Sequence, residues 1–148
     1  MDESLQRWQA NGWLRVHTPT RAEMANLLAI AARDLNDARE TAISNDWRFG
    51  IAYNAALKLC SILVHAEGYR PEHSLNHFRT IAALPLILGS ARAADAEYLE
   101  TCRRTRNTIE YDRVGIASQS ETDALIAFVA EFLDDVRRWL RTRHPELV

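Results

Sequence analysis

Within ten residues, Arg103-Arg104-Thr105-Arg106-Asn107-Thr108-Ile109-Glu110-Tyr111-Asp112, this chain concentrates three guanidiniums, an amide, two carboxylates and a phenol. At about 100° per residue, Arg103, Arg106, Asn107 and Glu110 share one side of a helix. Two chemistries suit that side. In the first, Arg106 and Glu110 make an i, i+4 ion pair on a solvated face, worth about 0.3–0.5 kcal/mol. In the second, Arg106 forks onto a phosphate while Asn107 reaches a sugar or base, and Arg103 adds charge. Arg106 and Tyr111 lie about 140° apart on a regular helix. One ligand therefore meets both only if the helix ends near Glu110 or a second subunit brings its own Arg106.

Other reactive side chains carry less. His65, His73 and His77 cluster in sequence, and the i, i+4 spacing of His73 and His77 suits a metal on a helix. Ser74, however, reads as the cap of that helix, which leaves His73 outside it. Cys60 and Cys102 fall on apolar helix faces and read as small buried residues rather than reactive thiols. Phosphate-loop and dinucleotide glycine patterns, a nucleophile elbow, paired-cysteine zinc motifs and Glu-x-x-His pairs do not occur in the chain. The expectation is a chain with no metal and no cofactor.

The elements that must position these groups are helices. Thr20-Arg21-Ala22-Glu23 reads as a capping box, followed by an apolar face of Met24, Leu27, Leu28, Ala31, Leu35, Ala38 and Ala42. Asn45 or Asp46 caps a second helix that buries Phe49, Ala52, Ala56, Leu59 and Leu63 and stops near Gly68. Ser74 opens a third with Leu75, Phe78, Ile81 and Ala82, which Pro85 kinks or ends. A fourth runs from about Ala91 to Ile109, with Tyr98, Cys102, Thr105 and Ile109 inward. Ser120 with Asp123 opens the fifth, whose stripe is Leu125, Phe128, Val129, Phe132, Val136, Trp139 and Leu140. No stretch alternates as a strand would. The expected fold is all-α: an up-and-down bundle of four to five helices over 20–143, in one domain covering 1–148. Residues 1–19 form an N-terminal extension with a short helix over 4–14.

Composition sets the class. A chain of 148 residues, 47% apolar and 26% charged, is one globular domain rather than a disordered one. A net charge of −2 gives no global basic field, so any binding of nucleic acid has to come from a local cluster. The strongly apolar run Ile81 to Leu88 is far short of the ~20 residues of a membrane span, and Trp8 and Trp13 among acids do not read as a secretory leader. With two cysteines, the expectation is a soluble protein of the reducing cytoplasm. Lys58 is the only lysine, against seventeen arginines.

Arg106-Asn107 followed by Glu110-Tyr111-Asp112, late in the penultimate helix of a small bundle, resembles the HEPN superfamily, and more narrowly the bacterial HEPN-domain proteins with an R-N-x-x-E-Y-D motif. Further stretches fit those proteins: Trp13-Leu14-Arg15 leading to His17, Asp46-Trp47-Arg48 leading to Ile51-Ala52-Tyr53-Asn54, Gly68-Tyr69-Arg70 leading to His77-Phe78-Arg79, and Trp139-Leu140 leading to His144-Pro145-Glu146-Leu147. The resemblance implies a helical domain that dimerises, in a superfamily rich in RNA-acting toxins and effectors, often paired with a small nucleotidyltransferase as antitoxin. Many members are metal-independent endoribonucleases in which an arginine stabilises phosphate charge and a histidine a few residues on moves the ribose hydroxyl proton. Here Arg106 and Asn107 match the motif, and Tyr111 occupies the histidine slot. A phenol of pKa about 10 is a poor proton shuttle at neutral pH.

The implied function is an RNA- or nucleotide-binding component of a toxin–antitoxin or defence system, with weak or absent nuclease activity. The residues it draws on are Arg103, Arg106, Asn107, Glu110 and Tyr111, with His77 from the third helix. Tyr111 is also a candidate for modification by the partner nucleotidyltransferase. The alternative is a non-catalytic helical dimer that serves as a protein-interaction module.

Overall fold

The computed structural model describes residues 4–72, 76–111 and 113–148. Over these the chain forms α1 (Leu5–Ala10), β1 (Leu14–Val16), α2 (Arg21–Ala38), α3 (Asn45–Ala66), β2 (Tyr69–Pro71), α4 (Asn76–Ala82), α5 (Leu84–Leu88), α6 (Ala93–Tyr111) and α7 (Gln119–Arg143). The all-α bundle expected from periodicity is the observed architecture. Its centre is α3, which packs against α2, α7, α6 and α4. Twenty-two residues of α3 are long and apolar enough to cross a membrane, but 67% of its most apolar window is buried inside the bundle, as befits a core helix. The α7 stripe is as expected, with Leu125, Val129, Phe132, Val136 and Leu140 buried and Phe128 and Trp139 at its margins.

Tertiary partners moved several boundaries. The Thr20 hydroxyl accepts from the Glu23 amide at 3.1 Å, but the Glu23 carboxylate turns to His17 instead of closing the capping box. α2 ends at Ala38, not Ala42, because the buried Arg48 donates Nε to the Ala38 carbonyl at 2.9 Å and completes the helix end. Ser44, rather than Asn45 or Asp46, caps α3. That frees Asp46 to accept from the amides of Gly115 and Ala117 in the α6–α7 connection, at 2.6 and 2.9 Å. This grip fixes the entry to α7, which starts two residues before the expected Ser120 and Asp123, with a full capping box from Ser118 and Glu121. Pro85 does break the third helix, separating α4 from α5. The expected cap at Ser74, with His73 and Leu75, and Asp112 of the polar run lie outside the described residues.

Contrary to the expectation of no strands, β1 pairs antiparallel with β2, in the register Leu14 to Pro71, Arg15 to Arg70 and Val16 to Tyr69. Strands of three residues are too short to alternate visibly. The ladder is extended by His17 N donating to Gly68 O and Glu72 N donating to Trp13 O. It cuts α1 to six residues where the sequence suggested a helix over 4–14. Trp8 and Leu14 then pack with Val64 and Ala83 in a small second core. The Arg79 guanidinium covers the Trp13 ring at 3.8 Å.

Candidate anion-binding face of α6

The polar run folds as expected onto one side of α6. Arg103 grips Glu100 through two bonds, Nε to Oε1 at 2.6 Å and Nη2 to Oε2 at 2.7 Å, and Arg104 Nε stands 3.5 Å from the same carboxylate. Bonding to Arg103 holds the Glu100 carboxyl below its ordinary pKa. One turn on, Arg106 Nη2 lies 2.9 Å from Glu110 Oε2. This pair is partly exposed, so it is a weak tie that another anion can replace. The half-buried Asn107 side chain makes no hydrogen bond among the described residues.

Under this face lies Tyr53 of α3. The residue is 2% exposed, and its hydroxyl is buried with no hydrogen-bond partner among the described residues. Burial raises the Tyr53 pKa, and the charges of Arg103 and Arg106 oppose that rise, so both guanidiniums act on the phenol. A hydroxyl buried without a partner costs about 1–3 kcal/mol. His77 of α4 is exposed at its edge and stands 6.4 Å from the Tyr53 ring, centroid to centroid. Desolvation, then the charges of Arg106, Lys58 and Arg103, push its pKa below the ordinary imidazole value, which leaves it neutral at pH 7. Lys58 has no ion-pair partner among the described residues. Beside Arg106 opens a cleft of about 230 Å³ lined by Trp47, Gly50, Ile51, Asn54 and Asp34, with Glu110 at its edge. Asn54 donates to Asp34 there at 2.7 Å.

Of the residues singled out from sequence, Arg103 and Arg106 act electrostatically on Tyr53 and His77, whose rings are 6.4 Å apart, and Glu110 is paired to Arg106. Tyr111 does not join them. α6 stays helical through Tyr111, which is 75% exposed and lies with Ile109, Glu110, Arg113 and Val114 on an open surface that shares only Glu110 with the Arg106 cleft. The two cysteines are buried, and burial pushes their thiols up to about 12 at Cys60 and about 11 at Cys102. Sequence reasoning missed Tyr53 and Lys58 as parts of this face. The available signal was a tyrosine in an alanine-rich helix and the chain's one lysine. It also missed a second cluster, in which Glu23 lies between His17 and His65.

No protein-family model, curated protein or solved structure matches the chain.

Proposed function

We propose that this chain is a HEPN-like dimer whose α6 face binds the phosphate groups of RNA or of a nucleotide. The observations that carry this reading are the cleft beside Arg106, whose exposed partner Glu110 another anion can replace, and a buried Tyr53 hydroxyl that feels the charges of Arg103 and Arg106 and has no hydrogen-bond partner among the described residues. A phosphate on this face takes a forked pair of bonds from Arg106 in exchange for the exposed Glu110, meets the Asn107 amide, and accepts from the Tyr53 hydroxyl once a side-chain shift uncovers it. Lys58 supplies an unneutralised charge nearby. Neutral His77 is the imidazole at the face. With Tyr111 in the histidine slot and away from Arg106, metal-free RNA cleavage is weak or absent in this reading. The resemblance of the R-N-x-x-E-Y-D run extends the proposal to a cytoplasmic toxin–antitoxin or defence setting with a small nucleotidyltransferase as partner.

The test is a labelled mixed-sequence RNA incubated with the protein in EDTA, read on native and denaturing gels. Wild type is expected to retard the RNA and leave it intact. Arg106→Ala is expected to weaken retardation about ten- to a hundredfold, the loss of a charged hydrogen-bonding group, with its melting temperature kept. Equal retardation by wild type and Arg106→Ala, or none by wild type, overturns the reading.

A second reading is favoured by Trp47, Tyr111 and Val114, which are 65%, 75% and 91% exposed near the same end of α6. There the chain is a protein-interaction module, and the Arg106–Glu110 pair is part of the contact surface. Loss of dimerisation rather than of RNA retardation in Arg106→Ala selects it.

A further inference from the structure

His17 follows β1, Glu23 sits in the first turn of α2, and His65 in the last turn of α3. Their donor atoms, one from each, all lie within 4.8 Å of one another. His17 Nε2 is 2.8 Å from Glu23 Oε1, and His65 Nδ1 is 3.7 Å from that same oxygen. Donors around a tetrahedral zinc, with bonds of about 2.0–2.1 Å, stand roughly 3.3–3.4 Å apart. The two contacts to Glu23 bracket that spacing, and the histidine nitrogens, within 4.8 Å of each other, draw together to admit an ion. His65 Nδ1 is buried without a hydrogen-bond partner among the described residues, and the Glu23 oxygen it faces is beyond hydrogen-bonding reach. The ring tilts against His17 at 4.7 Å, so both imidazoles converge on one space.

We propose that His17, Glu23 and His65 form a mononuclear site for a zinc-type divalent ion, with a fourth position left to water. Hydrogen bonds at helix ends and in one turn hold all three ligands in place. The Thr20 hydroxyl caps the Glu23 amide. His17 N donates to Gly68 O at 2.9 Å, and Gly68 N donates to His65 O at 3.0 Å, so one turn ties both histidines. Gly68 has φ +94, and a Cβ there would stand 3.7 Å from the His17 carbonyl oxygen. Such support from helix ends and a paired strand suits a metal site. Two imidazoles and one carboxylate favour zinc, cobalt or nickel over magnesium or calcium. At 15% side-chain exposure for both histidines and 29% for Glu23, the site is sheltered but reachable.

The test uses the full chain stripped with EDTA and desalted. Zinc added by calorimetric titration is expected to bind at one equivalent and raise the melting temperature by several degrees. Cobalt is expected to give the intense visible bands of a tetrahedral centre. His17→Gln, His65→Gln and Glu23→Gln are each expected to weaken zinc at least about tenfold, while His144→Ala retains the full equivalent. Variant folding is checked by metal-free melting. If His65→Gln fails to fold, His17→Gln, whose side chain lies outside the main core, decides. No stoichiometric uptake by wild type, or undiminished uptake by His17→Gln and Glu23→Gln, overturns the proposal.

Discussion

Asp46 Oδ2 accepts from the Gly115 backbone amide at 2.6 Å, across 69 residues of sequence. Its other oxygen takes the Ala117 amide. One carboxylate at the start of α3 therefore sets where α6 stops and α7 begins. Asp46→Ala is expected to destabilise the fold by about 1.5–3 kcal/mol, the loss of hydrogen bonds to a charged group, read as a lower urea midpoint. Asp46→Asn, which keeps one acceptor, should fall between. Faster amide exchange at Gly115 and Ala117 in Asp46→Ala localises the effect.

Tyr53→Phe separates stability from binding. Removing a buried hydroxyl that has no partner should leave stability unchanged or raise it by up to about 1 kcal/mol. If that hydroxyl serves a phosphate, the same variant weakens RNA retardation several-fold. A marked drop in melting temperature would mean that the hydroxyl is satisfied in solution by a structural water instead.

His65 makes stability depend on pH. Burial lowers its pKa to about 4, with the Arg70, Lys58 and His17 charges adding to the fall and Glu23 opposing it. The unfolded chain takes a proton near pH 6.5, while the folded one resists down to about 4, so protons favour unfolding in that window. Metal-free protein should lose roughly 2–3 kcal/mol as pH falls from 6.5 to 4. His65→Leu should flatten that part of the curve.

Dimerisation has a surface test. Light scattering should give about twice 16.9 kDa. Trp47→Arg with Tyr111→Arg should return a monomer that keeps its helical content, because both rings stand in solvent in the single chain, and its melting temperature should no longer depend on protein concentration. A wild-type monomer at micromolar concentration would remove the dimer.

What could be read from the sequence was local. The α7 stripe, the Thr20 hydroxyl cap, the stop at Gly68 and the break at Pro85 depend on neighbours within a turn or two, so spacing and residue type suffice. Caps that depend on distant partners were displaced. Asp46 is a good cap by type, but its carboxylate is taken by the α6–α7 connection, and Ser44 caps in its place. The strands were illegible because each is three residues long and its partner lies more than fifty positions away. At the α6 face, Arg103 and Arg106 were legible because they share a helix. Tyr53 was not, since nothing in α3 says which of its buried residues lies under α6. His17, Glu23 and His65 come from three elements, and only the fold brings them together.

The pairing of β1 with β2 bears on the order in which the chain folds. Residues 14–16 close onto residues 69–71 around the whole α2–α3 hairpin, so the ladder forms late, once those helices have brought its ends near. The β1 segment is thus among the last to dock. It is also the first expected to detach, so α1 and β1 should lose amide protection while α3 and α7 still hold theirs.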